Sequence, residues 1–414
     1  MMWKRPWGAG EGISICCGLI VIGLAMQVAT GSIVWENFAA PVNAFLLAVY
    51  IVIILLLYLL RNKIYFVRWA MTYKAAVPAL AFVAFMTFLM GMIKQDPNAA
   101  NALRRMLSFT PFVLVYCWMT TILGLTVLKQ LFSFKIRRIP SLFNHLGLFV
   151  ALVCATLGSA DMQRLTMNVQ VGRPEWRATD SNGELKELPL AIELEEFTIE
   201  EYAPKLMLID NETGKALPES RPEQLMMEEG VTQGKIAGWY IKIKDYIEYA
   251  ASAASNDTIR YVEWRSMGAT NAAYIEVTRA DGSETHEGWV SCGSFAFPYQ
   301  ALRLDSLTSI VMPDREPRKF TSQVKIYTQS GTTTETSIEV NKPAEIEGWK
   351  IYQLSYDQTK GRWSDVSVFE LVIDPWLPAV YAGIFLMIGG AILMFITANS
   401  SRNRRERRNK NDVE

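Results

Sequence analysis

The chain has 414 residues, 50% of them hydrophobic, and its 41 basic and 41 acidic residues balance to a formal net charge of zero. It contains none of the motifs H-E-x-x-H, G-x-S-x-G, P-loop or G-x-G-x-x-G, so the usual metallopeptidase, hydrolase, kinase and dehydrogenase classes have no support. It also lacks a C-x-x-C motif, which argues against a thioredoxin-like or zinc-binding role.

The apolar residues are concentrated in long runs before residue 160 and after residue 378. A helix needs about 20 apolar residues to cross a hydrocarbon core of roughly 30 Å. By this criterion the sequence predicts six membrane spans, at residues 13–33, 42–60, 75–93, 112–131, 139–160 and 378–397. The predicted regions are an N-terminal four-helix membrane region (1–138), a fifth span (139–160), a β-rich domain (161–377), a sixth span (378–397) and a basic tail (398–414).

The positive charges predict the orientation of these spans. If the N-terminus is inside, most lysines and arginines of the membrane region and tail fall on the inner side. The two short outer loops carry none and three, the three being Lys94, Arg104 and Arg105. This is the positive-inside bias of membrane proteins. Both termini are therefore predicted to be cytoplasmic, and residues 161–377 to lie outside.

Acidic and basic residues are segregated along the chain. Residues 161–377 contain 35 acidic and 22 basic residues, a net charge of −13, and the remainder carries +13. An acidic domain outside favours solubility, and a basic inner face favours contact with anionic membrane lipid. The basic tail directly follows a span, where such runs bind lipid, so no nucleic-acid partner is predicted.

Residues 161–377 contain short segments in which apolar and polar residues alternate, as in half-buried strands. Seven such segments lie at 188–197, 238–246, 259–264, 273–278, 323–328, 335–340 and 348–354. Turn signals occur at 211–214, 281–282 and 330–331, and only residues 218–229 suggest a helix. The predicted fold class is a membrane α-helical bundle of six transmembrane helices plus an all-β extracytoplasmic domain, either a sandwich or a partly open barrel.

His145 is the histidine that falls within a predicted span, near its cytoplasmic end. An ionisable residue in a span is costly, so it is expected to face a partner or a cavity. It could be an axial ligand of haem iron, because imidazole suits iron and lipid provides a dry pocket. It could equally be a helix-end histidine that hydrogen-bonds a neighbouring helix or reaches the interface. Gly147, two residues later, would allow a bulky group or another helix to approach.

Two residues of the β-rich domain are weaker candidates for a site. His286 follows the turn at 281–282 and is predicted to be an exposed loop or strand-edge residue. Cys292 is the single cysteine of the domain, which must therefore fold without an internal disulfide. With no cationic residue near it in sequence, a half-buried structural cysteine is favoured over a reactive thiol. We identify no catalytic residue.

Three segments resemble a known family. They are NHLGLFVALVCATLGS at residues 144–159, NKPAEIEGWKIYQLSYD at 341–357 and FELVIDPWLPAVYAGIFLMIGG at 369–390. They are similar to the ResB (CcsB) proteins of the system II cytochrome c biogenesis pathway. The resemblance covers roughly residues 143–396.

The resemblance implies a role in moving haem across the membrane, with a CcsA-like membrane protein as partner and apocytochrome c as the acceptor. It implies His145 as the haem-ligating position of this chain, and haem as a cofactor shared with the partner. It also implies a bacterial inner (cytoplasmic) membrane, with the β-rich domain in the periplasm. The tryptophan-rich haem-handling motif of CcsA and its flanking histidines are absent. The chain is therefore expected to be one subunit of a haem-ligation complex rather than an enzyme by itself.

An alternative from another functional class stays open. The protein could be a membrane-anchored assembly or docking protein that binds no cofactor, and the scarcity of histidine in the β-rich domain favours that interpretation. A transporter is less well supported, because the spans contain no inverted repeat and no intramembrane carboxylate. The four spans before residue 131 are more than the family resemblance predicts.

Overall fold

A computed structural model describes residues 3–96, 99–255 and 258–411. It divides into two compact units, a membrane unit (Met1–Gln163 with Ile373–Glu414) and a β domain (Arg164–Val372). The helices all lie in the membrane unit: α1 Ala9–Thr30, α2 Val42–Leu60, α3 Tyr65–Ala70, α4 Tyr73–Met92, α5 Thr110–Phe132, α6 Ile139–Gly158 and α7 Leu377–Asn411. Residues 412–414 of the predicted basic tail lie outside the described residues.

Six of the described helices are long and apolar enough to cross a membrane, so the chain is a multi-pass membrane protein. The six predicted spans are confirmed, with ends that differ by a few residues. Proline occupies the first turn of α5 and of α6, where its missing N–H costs nothing. The short helix α3 was not predicted; it lies in the loop after α2, and its residues Val67, Trp69 and Ala70 are buried.

Small residues allow the membrane helices to pack closely. Gly23 of α1 lies against Pro111 at the start of α5, and Gly12 lies against Pro78 of α4. The closest packing joins α6 and α7, where Gly147 and Gly383 lie at the contact. In a membrane the hydrophobic effect does not drive helices together, so such small residues favour association by allowing close backbone contact.

The β domain consists of seventeen described strands. They are β1 Gln163–Gln170, β2 Glu175–Thr179, β3 Leu185–Glu201, β4 Lys205–Asp210, β5 Gln224–Met226, β6 Gln233–Ile236, β7 Trp239–Ser255, β8 Thr258–Glu263, β9 Thr270–Arg279, β10 Thr285–Ser291, β11 Leu302–Arg303, β12 Thr308–Val311, β13 Pro317–Thr328, β14 Thr333–Glu339, β15 Ala344–Ile346, β16 Trp349–Tyr356 and β17 Val366–Ile373.

Eight strands form one antiparallel sheet in the order β14-β13-β3-β2-β1-β17-β16-β15. The sheet is nearly closed, because β14 at one end also approaches β16 near the other. Alternate residues of its strands are fully buried, among them Ile192, Leu194, Ile326, Ile351 and Phe369. This is the barrel-like arrangement that the alternation of apolar residues predicts, so the partly open barrel is confirmed.

A five-stranded sheet and a four-stranded sheet share a second core. The first has the order β10-β9-β7-β6, with β8 paired to β7, and the second has the order β11-β12-β4-β5. The core between them includes Leu206, Ile241, Ile275 and Ile310, each 1% exposed or less. All seven predicted strand segments fall within or overlap described strands, and the three predicted turns contain glycines in the left-handed conformation.

The possible helix at residues 218–229 is wrong. The segment contains two prolines, Pro218 and Pro222, and continues as strand β5, which pairs with β4. Inside a helix, Pro222 would remove one backbone hydrogen bond and clash with the preceding turn, which favours the extended form of this short segment. Leu225 then packs against Gly234 of β6 and contributes to the second core.

Candidate functional site

His145 lies near the start of α6, directly after an exposed basic segment at residues 135–138. The side of α6 that carries His145 faces α5. Farther along this side, the ring of Phe149 lies next to Gly124 of α5, and the hydroxyl of Thr156 donates to the hydroxyl of Tyr116, also on α5, at 3.2 Å. The spacing of four, three or seven residues places these side chains on one helix face. The imidazole is therefore held at the α5–α6 contact, and part of it stays exposed.

The hydrogen bonds of His145 all involve one ring nitrogen. Its Nδ1 lies 2.6 Å from the carbonyl oxygen of Ser141, one turn earlier in α6. The hydroxyl of Ser141 is 3.3 Å from the same nitrogen. The amide nitrogen of Gln130 on α5 lies 3.5 Å away and, being a donor, makes no hydrogen bond to a protonated Nδ1. A carbonyl oxygen can only accept, so Nδ1 must carry the proton. In the neutral ring this leaves Nε2 with a free lone pair.

This form of imidazole fits the ligation of iron. A neutral ring whose Nδ1–H is bound to a backbone carbonyl presents Nε2 as the ligand, and the second-shell bond fixes its orientation. Among the residues that the structure describes, no hydrogen-bond partner lies at Nε2. Within the same residues no group of three or more His, Cys, Asp or Glu side chains could hold a metal ion. Among the described residues, the site thus contains one imidazole nitrogen that could ligate a metal.

At Gly147, α7 packs directly against α6 and leaves no space for a cofactor. A Cβ atom at this position would lie 2.8 Å from the backbone nitrogen of Met387. One turn later, a Cβ atom on Gly383 would lie 2.7 Å from the backbone nitrogen of Ala151. The sequence allows either a bulky group or another helix next to Gly147, and in the structure another helix, α7, lies there. The α7 contact and the α5 contact use different faces of α6.

His286 lies in β10, at one end of the order of the five-stranded sheet, as the strand-edge interpretation predicts. It is half-buried rather than exposed, because its ring packs edge-on against Trp239 with a centroid distance of 6.0 Å. Its Nε2 is buried and has no hydrogen-bond partner among the described residues. The aromatic contact explains the burial of the ring, and nothing in the structure explains the unpaired nitrogen.

A cleft of about 580 Å³ opens within the β domain. Cys292 contributes to its wall, half-buried as predicted, with its sulfur 3.3 Å from the hydroxyl of Thr270. Two arginines also line it, Arg315 and Arg362, whose side chains are 13% and 15% exposed. The rings of Phe295, Phe297, Tyr299, Tyr356 and Trp363 form much of the remaining surface.

The charges of this cleft are paired within the domain. The carboxylate of Glu201 lies 3.5 Å from Arg315 and 3.7 Å from Arg362, and Arg315 also reaches Glu248 at 3.4 Å. Burial raises the pKa of Glu201, and although both guanidinium groups oppose this effect, the pKa stays above its ordinary value. Arg362 stacks on Trp363 and on Tyr249. The ion pairs of this network join segments that are far apart in the sequence.

Sequence reasoning did not find this arginine cluster or the residues around the His145 ring. Glu201, Arg315 and Arg362 come from separate parts of the chain, and each looks like an ordinary surface charge in its local sequence. Gln130 is one polar residue at the end of an apolar run. A glutamine inside a predicted span is unusual, and that was the one available signal.

A comparison with family models matches residues 274–365 to the ResB-like family. A search of the curated proteins found no match. The matched residues cover less than a quarter of the chain and lie wholly within the β domain. They include the predicted family segment at 341–357, and they exclude those at 144–159 and 369–390. The resemblance to the family is therefore confirmed, and residues 274–365 form the ResB-like part of the β domain.

Proposed function

We propose, on the premise of this ResB-like domain, that the protein is a subunit of a system II cytochrome c biogenesis complex. In that role it works with a CcsA-like membrane protein and moves haem across the membrane for attachment to apocytochrome c. The observation that carries the proposal is the family match at residues 274–365. The hydrogen-bonding state of His145 supports it independently, because it leaves Nε2 free to bind iron.

The proposed orientation follows from charge. Lysines and arginines are concentrated in the segments that would face the cytoplasm, and the β domain carries the excess of acidic residues. The membrane would be the bacterial inner membrane, with the β domain in the periplasm. His145 then lies toward the cytoplasmic end of α6, close to the exposed basic segment at residues 135–138. These cations would favour the approach of a ligand with carboxylate groups, as haem has.

The role of this chain in the proposed function is to hold and orient haem. His145 would provide one axial nitrogen, and the second would come from the CcsA-like partner. Apocytochrome c supplies the thiols of its C-x-x-C-H segment, which add to the vinyl groups of haem. The protein therefore contributes ligation, orientation and the exclusion of oxidants, and the reactivity belongs to the haem. The β domain would position the partner or the apocytochrome.

The test of the function uses the protein purified with its CcsA-like partner. The visible absorption spectrum reports bound haem, and the yield of covalent cytochrome c reports activity. We expect His145→Ala to lose most of the haem absorbance and the cytochrome. The matched control is Leu148→Ala, because Leu148 lies nearby on α6 and is 37% exposed. Unchanged haem content together with a normal cytochrome yield in His145→Ala would contradict the assignment of His145.

The alternative of a docking protein without a cofactor keeps one supporting observation. Three charged residues of the β-domain cleft, Glu201, Arg315 and Arg362, form ion pairs with one another, as in a rigid scaffold. Deletion of the gene distinguishes the two functions. Loss of all covalent haem attachment, with the CcsA-like partner still present at normal abundance, supports haem handling. A lower abundance of the partner, with attachment per complex unchanged, supports docking.

A further inference from the structure

A polar pair from two helices surrounds the protonated nitrogen of His145. The amide nitrogen of Gln130 on α5 lies 3.2 Å from the hydroxyl oxygen of Ser141 on α6. That oxygen lies 3.3 Å from Nδ1 of His145, whose closest acceptor is the Ser141 carbonyl at 2.6 Å. Two N–H donors, one from each helix, therefore converge on the hydroxyl oxygen of Ser141.

We infer that Gln130 and Ser141 are positioning residues for His145, which hold its ring in the tautomer with the proton on Nδ1 and the lone pair on Nε2. The inference rests on the proposed function, in which Nε2 is the atom that binds iron. It goes further by assigning a task to α5, one of the four N-terminal spans that the family resemblance does not explain. Neither residue would touch the iron.

The donor and acceptor inventory supports this assignment. The Ser141 carbonyl can only accept, so it requires the proton on Nδ1. The Gln130 amide nitrogen can only donate, so it uses one lone pair of the Ser141 hydroxyl and leaves the other for Nδ1–H. Ser141 thus offers two acceptor oxygens to the imidazole, its carbonyl and its hydroxyl. Gln130 on the neighbouring helix holds the hydroxyl oxygen in place. In the other tautomer, a lone pair on Nδ1 would face these two acceptor oxygens and be repelled by them.

The cost of Gln130 also indicates a function. Its Oε1 is buried and has no hydrogen-bond partner among the described residues. A leucine or methionine of similar volume would avoid the burial of this unpaired oxygen in an apolar region. The energetic cost of a glutamine at this position is explained if its amide nitrogen is required beside His145. Polar residues within spans have such roles more often than structural ones.

The inference predicts a measurable change in the protein without haem. The chain has two histidines, so its ¹⁵N-histidine NMR spectrum contains two rings, and a His145→Gln variant assigns them. At about pH 8.5, well above the ordinary histidine pKa, the nitrogen shifts of each ring report its tautomer. We expect the full-length wild type in detergent to show His145 almost entirely as the Nδ1–H form.

Two variants test the positioning residues, and two others are controls. Gln130→Met and Ser141→Ala should each lower the fraction of the Nδ1–H tautomer, although both keep the backbone carbonyl of residue 141 as an acceptor. Ser141→Thr, which keeps the hydroxyl, should retain the wild-type spectrum. Thr126→Val is the matched control on α5, because its hydroxyl bonds the Ile122 carbonyl of its own helix at 2.9 Å. With the CcsA-like partner, the haem affinity of Gln130→Met should fall about 10- to 100-fold, as for other second-shell losses.

The possible results separate this inference from the proposed function. A wild-type tautomer in both Gln130→Met and Ser141→Ala would overturn the inference, whatever the haem content. A tautomer mixture in these variants supports the inference. If the variants show a tautomer mixture but His145→Ala keeps its haem, the proposed ligation of haem by His145 is wrong, whereas the inference about the positioning of the ring is supported. Because Gln130→Met and Ser141→Ala act on different helices, misfolding of one of them leaves the test intact.

Discussion

The indole nitrogen of Trp376 donates a 2.6 Å hydrogen bond to the carboxylate of Asp161. Asp161 follows the end of α6, and Trp376 precedes α7. The same carboxylate accepts hydrogen bonds from the side chain of Asn43, at 2.7 Å, and from the backbone of Ala40, at 2.6 Å. One acidic residue thus joins the ends of three membrane helices, and Asn43, beside it, is fully buried.

Replacement of Asp161 by asparagine should destabilise the membrane unit by about 1–3 kcal/mol, the usual cost of losing hydrogen bonds to a charged group. Burial opposes ionisation of Asp161, but its three hydrogen bonds outweigh this effect and hold its pKa below the ordinary value. Its contribution is therefore present above the ordinary aspartate pKa of 3.8 and is lost as the pH falls through the lowered value.

Thermal unfolding in detergent between about pH 7 and pH 3 checks this prediction, since the window must include the ordinary aspartate pKa. The gap in Tm between wild type and Asp161→Asn should be wide at neutral pH and close at the acidic end. Glu36→Gln is the control, because Glu36 is an exposed carboxylate of the same unit. A gap that stays constant with pH would show that the charge of Asp161 does not stabilise the unit.

Gly390 of α7 is a point where two helix backbones nearly touch. A Cβ atom at Gly390 would lie 2.8 Å from the backbone nitrogen of Asn144 and 2.8 Å from the carbonyl oxygen of Pro140. Gly389, the preceding residue, has nothing within 4 Å of the same position. Gly390→Val should therefore separate α6 and α7 and lower the Tm by several degrees, whereas Gly389→Val should change it little.

Crosslinking provides a second measurement of the α6–α7 contact. Cysteines placed at Asn144 of α6 and Met394 of α7, whose side chains lie 3.4 Å apart, should be joined readily by a short thiol crosslinker in the background of Gly389→Val. The yield should drop in the background of Gly390→Val. Equal yields and equal melting temperatures in the two backgrounds would exclude tight backbone packing at Gly390.

Strand β16 offers a matched pair for the core of the eight-stranded sheet. Ile351 is fully buried, whereas Leu354 in the same strand is 52% exposed. Ile351→Ala should cost about 2–5 kcal/mol through the cavity it leaves, and Leu354→Ala less than about 0.5 kcal/mol. Hydrogen exchange of the β16 peptide in the full-length protein measures the loss of stability in each variant. Similar protection in the two variants would mean that the interior of this sheet is not packed around Ile351.

The proposed orientation can be tested with a membrane-impermeant maleimide on intact cells. In a background with Cys292→Ser, Glu212→Cys lies in an exposed turn of the β domain and Lys135→Cys in the exposed segment before α6. We expect labelling at Glu212→Cys in cells whose outer membrane is permeable, and labelling at Lys135→Cys only after lysis. The reverse pattern would invert the topology, and it would place His145 at the outer end of its helix.

Local sequence properties were sufficient for the membrane spans and for part of the β domain. Each span is identified by the length of its own apolar run, and seven strand segments by the alternation of their own residues, since both signals repeat over a few neighbouring positions. The helix α3 and strands such as β1 and β17 were not predicted. The segment at 218–229 shows the limit of such signals. Its prolines and its pairing with β4 decided against a helix that composition alone allowed.

What the sequence by itself determined is a six-span membrane protein with a β-rich, ResB-like domain and one intramembrane histidine. Only the tertiary structure shows what surrounds that histidine, because its Nδ1 lies against Ser141 of its own helix and the Ser141 hydroxyl contacts Gln130 of another. The contact between Gly390 and Asn144 likewise joins positions that are far apart in the chain. Such contacts form when whole elements pack, so their physical cause is absent from any local pattern of residues.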